Sequence, residues 1–181
     1  MADRLDFQKL SFGVRRMGWI RFWIQVVLSI VVVGVLIFNN IGGSLARNSE
    51  RAVGLGPGLS LTTLSFFVLL FSLWQGWLIV RTGRAIDSAA RPSRGEAARL
   101  IKRGLLADLL GLSLAAIGYQ ALAGILFFQA SQQTPGQVLG RQESITSLEM
   151  LSVLSNTQVL FAHLIGVLFS LWMLQRIYRT R

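Results

Sequence analysis

Apolar residues fall into four long blocks along the chain, separated by shorter polar stretches. The blocks cover about residues 17–38, 59–80, 104–128 and 156–177. About 20 residues at 1.5 Å each cross a hydrocarbon core of about 30 Å, and a helix satisfies its own backbone groups in lipid. The pattern therefore predicts an all-α integral membrane protein, with one domain over residues 1–181 and four transmembrane helices.

The polar stretches predict the connections. Residues 81–103 form a basic connector, and the glycine-rich run Gly54–Gly58 predicts a turn before the second span. Apolar residues at helical spacing over about 143–155 predict an amphipathic helix on the outer surface. Residues 1–16 fit either an interfacial helix or a loosely ordered tail. Arg21, near the start of the first span, is expected to reach back to the headgroups.

The charge distribution predicts the orientation. Only 14% of the residues are charged, against 52% apolar, and the net charge is +10. Fifteen of the 18 Lys and Arg residues lie up to Arg21, in the connector, or from Arg176 at the end of the last span onward. Positively charged loops stay in the cytoplasm, so the connector and both termini are predicted to be cytoplasmic. No soluble basic face remains for nucleic acid. Candidates for partner or anionic lipid headgroup contact are Arg91, Arg94, Arg99, Lys102 and Arg103.

An internal repeat divides the chain into halves. The sequence LFSLW occurs at residues 70–74 and 168–172, late in the second and fourth spans. A basic pair precedes a glycine at the start of the first and third spans, before Gly18 and Gly104. This pattern indicates two parallel hairpins related by an axis along the membrane normal, with the functional site at their interface. Convergence is the alternative, because these residue types are common in membrane helices.

Small residues recur every three or four positions in the third and fourth spans. Such a stripe lets helices approach closely. The predicted packing positions are Ala107, Gly111, Ala115, Gly118, Ala162, Gly166 and Ser170.

Polar side chains inside the membrane are costly and are therefore functional candidates. We expect His163 to face the bundle and to meet Tyr119 or Gln120, which lie at a similar depth. The same estimate of depth places Asp108 two or three helical turns from His163. Asp108 is therefore expected to meet Lys102, Arg103 or another connector arginine. The full set of candidates is Gln25, Gln75, Asp108, Tyr119, Gln120 and His163.

The sequence offers little for catalysis or cofactor binding. It contains no nucleophile–base pair and no phosphate-binding loop, so we expect no enzyme. One histidine, no cysteine and one intramembrane carboxylate do not make a closed transition-metal site in one chain, and no metal or cofactor is predicted. We expect His163 to hydrogen-bond between helices. Ligation of haem or chlorophyll and proton relay are the alternatives.

Three stretches carry a family resemblance: RRMGWIRFWIQ, LFSLWQGWLIVRTGRAI, and NTQVLFAHLIGVLFSLW before IYR. They resemble a family of cyanobacterial membrane proteins of unassigned function and their plastid relatives, the Tic twenty-one or permease-in-chloroplasts family. The resemblance implies a four-helix membrane protein. The plastid members have been assigned two incompatible roles, in iron permeation and in protein import.

The leading hypothesis is a membrane transport component for iron permeation or protein translocation, acting as a homo-oligomer or as a complex subunit. The alternative is a non-catalytic assembly or scaffold factor that docks onto larger photosynthetic or translocon complexes. The expected partners are an anionic bilayer and other membrane subunits or a second copy. The expected location is a cyanobacterial thylakoid or plasma membrane.

Overall fold

The structure, a computed structural model, describes residues 2–45, 51–85, 93–131 and 147–179, and these form four helices without a strand. The helices are α1 (Ala2–Leu45), α2 (Arg51–Ala85), α3 (Arg94–Ser131) and α4 (Ser147–Arg179). Each contains a segment long and apolar enough to cross a membrane: Ser11–Phe38, Gly56–Ala85, Gly95–Ser131 and Glu149–Arg179. The all-α class and the four helices of spanning length are therefore confirmed.

The helices extend beyond the predicted spans. The 38 residues of α3 reach about 57 Å at 1.5 Å each, well beyond a hydrocarbon core of about 30 Å. Residues 81–85 and 94–103 of the basic connector are helical, whereas residues 86–92 lie outside the described residues. A capping box starts α3: the Ser93 N–H donates to Glu96 Oε2 at 2.8 Å, and the Glu96 N–H donates to Ser93 Oγ at 3.1 Å.

The turn predicted over Gly54–Gly58 is wrong, because these residues belong to α2. Pro57 is the seventh residue of this helix, so it removes the hydrogen bond that a backbone N–H at this position would donate to the Val53 carbonyl oxygen. Gly58 serves helix packing: a Cβ there would lie 2.6 Å from Leu122 Cγ of α3. The glycine-rich run thus allows α2 and α3 to approach closely.

Two further expectations change at the ends of α1 and α4. The amphipathic helix predicted over about 143–155 is not separate, because residues 147–155 are the first turns of α4. Buried Ser152 and Ser155 lie in these turns, so this segment packs within the bundle. Residues 143–146 lie outside the described residues. The leader, from Ala2 onward, is continuous with α1.

The helices form a four-membered bundle. Helices α1 and α3 each pack against both α2 and α4, and α2 also contacts α4 across the centre. At one end, an apolar cluster joins the start of α1 to the end of α2, the start of α3 and the end of α4; it includes Val14, Ile79, Ile101 and Met173. A second apolar cluster fills the other half, with Val32, Leu69, Ala115 and Val159 among its members. A layer of polar side chains lies between these clusters.

Candidate functional site: a buried charged cluster

Arg21 of α1 lies in the centre of the bundle, with 0% of the residue exposed. Its Nη2 donates to Asp108 Oδ2 at 2.8 Å and to Ser72 Oγ at 2.9 Å, and its Nη1 donates to Ser170 Oγ at 3.0 Å. One guanidinium therefore connects α1 to the other three helices. The expectation that Arg21 turns back to the headgroups is wrong, because a carboxylate and two hydroxyls satisfy its charge inside the bundle.

Asp108 of α3 is the acceptor at the centre of the cluster, and it too is fully buried. Besides the Arg21 contact, its Oδ1 accepts from Ser72 Oγ at 2.6 Å and lies 3.1 Å from His163 Nδ1. Gln25 Nε2 adds a longer contact of 3.4 Å to the same oxygen. The carboxylate thus faces groups from α1, α2 and α4.

His163 and Gln25 extend the cluster toward the second apolar cluster. The ring of His163 is fully buried, and its Nε2 lies 3.2 Å from the backbone carbonyl oxygen of Ser65 on α2. Gln25 Nε2 donates to the carbonyl of Ala162 at 3.1 Å, and Ser65 Oγ donates to the carbonyl of Gly111 at 2.7 Å. All four helices are joined within two or three helical turns.

Two glycines make room for the ionisable side chains. A Cβ at Gly166 of α4 would overlap the carboxylate of Asp108, and a Cβ at Gly111 of α3 would overlap the ring of His163. The arrangement is reciprocal, since each helix presents an ionisable residue followed three positions later by a glycine. Residues three apart share a helix face, so the two antiparallel helices interlock.

Several buried polar atoms near the cluster have no hydrogen-bond partner among the described residues. They include Arg21 Nε, Gln25 Oε1 and Gln75 Oε1. Gln75 lies beside the cluster: a Cβ at Gly104 would be 3.6 Å from Arg21 Nη1 and 3.8 Å from Gln75 Cβ. The polar layer therefore contains donor and acceptor atoms that make no hydrogen bond to the described residues.

The structure brings together three of the six predicted intramembrane candidates, Gln25, Asp108 and His163, and buries Gln75 nearby. Tyr119 and Gln120 lie apart, exposed on the outside of α3. The prediction that His163 faces the bundle is confirmed, but its predicted contact with these two residues is wrong.

The predicted partners of Asp108 also require correction. Lys102 and Arg103 are exposed, and Lys102 Nζ lies 5.8 Å from the ring centroid of Tyr178. The depths estimated from the predicted span ends place Asp108 and His163 two or three helical turns apart. Because α3 and α4 extend well beyond those ends, the true register places the two residues side by side.

Arg21, Ser65 and Ser72 belong to the cluster but were not predicted as site residues. The sequence holds one signal for Ser72 and another for the contact between α3 and α4. The repeated LFSLW supplies Ser72 and Ser170, which both contact the Arg21 guanidinium. The spacing Asp108–Gly111 and His163–Gly166 marks two antiparallel faces that fit each other.

The predicted packing residues of α3 and α4 are all buried: Ala107, Gly111, Ala115, Gly118, Ala162, Gly166 and Ser170. Of the predicted headgroup contacts, Arg99, Lys102 and Arg103 are exposed. Arg91 and the side chain of Arg94 lie outside the described residues.

Two other features lie away from the charged cluster. Asn156 Nδ2 donates to Thr62 Oγ1 at 2.6 Å, close to Gly118. An open groove of about 520 Å³ on the outer surface between α2 and α3 is lined by apolar side chains, such as Phe67, Phe71 and Leu110, with Arg103. It does not include the polar atoms of the cluster.

The cluster offers an anion between a permanent cation and an imidazole, which is suited to holding charge or moving a proton. Across the described helices, no group of three or more His, Cys, Asp or Glu side chains could hold a metal ion. The carboxylate of Asp108 and the imidazole of His163 are nevertheless ligand types that bind transition-metal cations.

Comparison with known proteins gives a family match over most of the chain. The sequence profile of DUF3611, described as a protein of unknown function, matches residues 4–178. The chain is also 24% identical over 181 residues to "Protein TIC 21, chloroplastic" of Arabidopsis thaliana, which covers 98% of this chain and 60% of that protein. The chain thus spans less than two thirds of the relative's length. No solved structure matches.

Proposed function

The chain belongs to the DUF3611 family, and from its buried charged cluster we propose that it is a component of a membrane transport system. The observation that carries the proposal is the complete burial of Arg21, Asp108 and His163 at the junction of four spanning helices. Charged groups at such depth are expensive, and in membrane proteins they mark ion and substrate pathways. The distant similarity to the chloroplast protein TIC 21 supports the same class.

We further propose that the helices are two parallel hairpins and that the cluster lies at their interface. The two serines of the repeated LFSLW contact the same guanidinium, and contacts α1–α2 and α2–α3 have counterparts in α3–α4 and α4–α1. This arrangement is the one expected of two halves related by an axis along the membrane normal.

The orientation follows from charge. The end of the bundle that holds the start of α1 and the end of α4 also presents exposed basic residues, including Arg15, Arg84, Arg99, Lys102 and Arg179. The positive-inside rule puts this end, and both termini, in the cytoplasm. Anionic lipid headgroups are the natural partners of this basic rim. The membrane is a thylakoid or plasma membrane if the organism is cyanobacterial.

Iron(II) is the substrate we favour over a protein segment. The apolar clusters on either side close the bundle, so a polypeptide could pass only through a pore formed by several copies. A small cation needs only a transient opening between helices, and Asp108 and His163 offer an oxygen and a nitrogen ligand. We assign no catalytic residue and no resident cofactor.

Iron(II) uptake into proteoliposomes tests this proposal. We expect at least a tenfold loss for Asp108→Asn and for His163→Ala, and no change for Gln120→Ala, whose side chain is exposed on the outside of α3. His163→Gln serves if the alanine variant does not fold, and size-exclusion chromatography identifies folded samples. Unchanged uptake in folded Asp108 and His163 variants would reject the mechanism.

A scaffold role is the second candidate, and the exposed basic rim favours it. The small-residue face of α3 is occupied by α4 and α2, so an acidic partner would dock on the rim instead. Replacing the rim residues Arg84, Arg99 and Lys102 by Glu should then abolish co-purification of partners from the native membrane. Glu substitutions at Arg47 and Arg51, beyond the other end of the predicted spans, are the matched control. Retained partners in the first variant would exclude the rim as the docking surface.

A further inference from the structure

The open groove between α2 and α3 combines an apolar lining with a cation. Phe67 and Phe71 of α2 line it, as do Leu106 and Leu110 of α3. The side chain of Arg103 lines it as well. The volume of about 520 Å³ lies within the roughly 300–1,000 Å³ of cavities that bind small molecules. The groove is therefore suited to a ligand that is mostly apolar and carries a negative charge.

The cation lies at one end of the groove. Arg103, Leu106 and Leu110 are three and four residues apart, so they share one face of α3. Gly104 lies beside Gln75, one turn closer to the end of α2 than the groove residues of that helix. Leu110 is then about 10 Å deeper than Arg103 at 1.5 Å per residue. Half of a hydrocarbon core is about 15 Å thick, so the groove runs along one leaflet.

The Arg103 side chain has no partner among the described residues. Other cations at this end of the bundle lie against aromatic rings. The Arg81 guanidinium carbon is 5.9 Å from the ring centroid of Trp77, and Lys102 Nζ is 5.8 Å from that of Tyr178. A guanidinium binds a phosphate group through two parallel hydrogen bonds. Arg103 is therefore free to bind an anion from outside the chain.

The described helices of a second copy do not supply this anion. The spanning segments contain three carboxylates, and two of them, Asp108 and Glu149, are buried. The third, Glu96, lies in the first turn of α3 and caps that helix. A docked apolar helix would cover Arg103 without a counter-charge, which is costly. A phospholipid supplies both an acyl chain and a phosphate group.

We propose that the groove binds one anionic phospholipid, with an acyl chain between Phe71 and Leu110 and the phosphate on the Arg103 guanidinium. Trp74 lies one turn beyond Phe71, and their ring centroids are 5.7 Å apart. Indole rings concentrate at the level of the headgroups, so Trp74 marks that level beside the groove. The arginine stem covers apolar surface while its charged head reaches the phosphate.

The lipid would lie directly outside one contact of the charged cluster. Phe71 and Ala107 line the groove, and the residues that follow them, Ser72 and Asp108, form a hydrogen bond of 2.6 Å inside the bundle. A lipid that packs on both helices would hold α2 and α3 together at this contact. The lipid site is separate from the proposed transport, and it does not depend on whether the chain moves a cation.

Native mass spectrometry tests the site. Delipidated protein in detergent would be titrated with phosphatidylglycerol or with phosphatidylcholine of the same acyl chains. The first phosphatidylglycerol should bind at least about fivefold more tightly, because the choline cation cancels the headgroup charge of the other lipid. Arg103→Gln should abolish this preference. Lys102→Gln is the matched control: it removes the same charge from the neighbouring position, which faces Tyr178, and should keep the preference.

Equal binding of the two lipids to the wild-type protein would overturn the inference. So would a preference that persists in folded Arg103→Gln, or one that Lys102→Gln abolishes equally. Leu110→Trp fills the groove and should weaken the binding of both lipids; unchanged binding would place the lipid elsewhere. This variant and the wild-type comparison decide if Arg103→Gln does not fold. A dimer that Leu110→Trp abolishes would assign the groove to a second copy and reject the lipid.

Discussion

Arg21 and Asp108 are residues that a membrane excludes when they are alone. Insertion of one charge at the bilayer centre costs about 2.5–3.5 kcal/mol. Here the two charges lie 2.8 Å apart, and serine hydroxyls occupy further hydrogen-bonding positions on both groups. A buried pair of this kind gives little net stability against an apolar replacement, but loss of one partner leaves an uncompensated charge. Such a pair is therefore better explained by function or by specification of one helix arrangement than by stability.

The two serines of the repeated motif predict unequal effects at the residue scale. Ser72 both accepts from Arg21 and donates to Asp108, whereas Ser170 only accepts from Arg21. Ser72→Ala should lower the free energy of unfolding by about 1–3 kcal/mol, and Ser170→Ala by about 0.5–1.5 kcal/mol. Unfolding in mixed detergent micelles measures both. Ser113→Ala is the control, because that hydroxyl bonds only within its own helix to the Leu109 carbonyl. A larger loss for Ser170→Ala would contradict the assigned hydrogen bonds.

At the scale of the helices, glycine determines how α3 and α4 meet. Gly111 and Gly166 replace side chains where the partner helix inserts an imidazole or a carboxylate, and Gly58 allows α2 to approach Leu122. Interior glycine costs a helix about 1 kcal/mol relative to alanine. The close approach of the helices offsets this cost, because it brings the buried ionisable groups into contact.

Gly111→Ala should therefore destabilise the bundle and displace His163, although alanine is the better helix former. Gly124→Ala is the matched control on the same helix, because a Cβ there meets nothing within 4 Å. That control should be neutral or stabilised by up to about 1 kcal/mol. Thermal unfolding of the purified variants measures the difference. Equal behaviour of the two variants would show that α3 and α4 do not meet at Gly111.

The sequence predicts the helices well and their register poorly. Hydropathy reports which residues tolerate lipid, so the four spans were identified, as was the inward direction of His163. Hydropathy says little about where a helix ends once it leaves the bilayer. The depths of Asp108 and His163 are counted from the predicted span ends, so they are wrong where those ends are wrong. Gly54–Gly58 was interpreted as a turn because glycine and proline mark turns in general, yet here they permit a helix contact. The contact of Arg21 with Asp108 depends on tertiary structure, which local pattern does not contain.

The whole molecule is a bundle whose polar layer is enclosed by apolar clusters on both sides. Large apolar side chains such as Phe67 and Phe127 cover the outer surface, which suits contact with lipid. Basic residues are concentrated at one end. In the described helices the polar layer therefore lies between two apolar layers, and the proposed transport would require helices to separate at the cluster.

The absence of cysteine from the sequence permits a clean test of the orientation. A single cysteine at Ser88 should react with an impermeant maleimide only from the cytoplasmic side, and one at Asn48 only from the other side. These positions lie in the two connections that flank the second span. A cysteine at Ser113 should react from neither, since it faces lipid between them. Labelling of Ser88→Cys and Asn48→Cys from the same side would refute the arrangement.

A double-mutant cycle between Arg21 and Asp108 tests most directly whether one buried ion pair joins opposite helices of the bundle. The free energy of unfolding would be measured for Arg21→Met, Asp108→Leu and the double variant. Each single variant should lose about 3–5 kcal/mol, because a buried charge is left without its partner, and the double variant should lose far less than the sum. Additive losses would mean that the two charges do not interact, and the cluster described above would not exist.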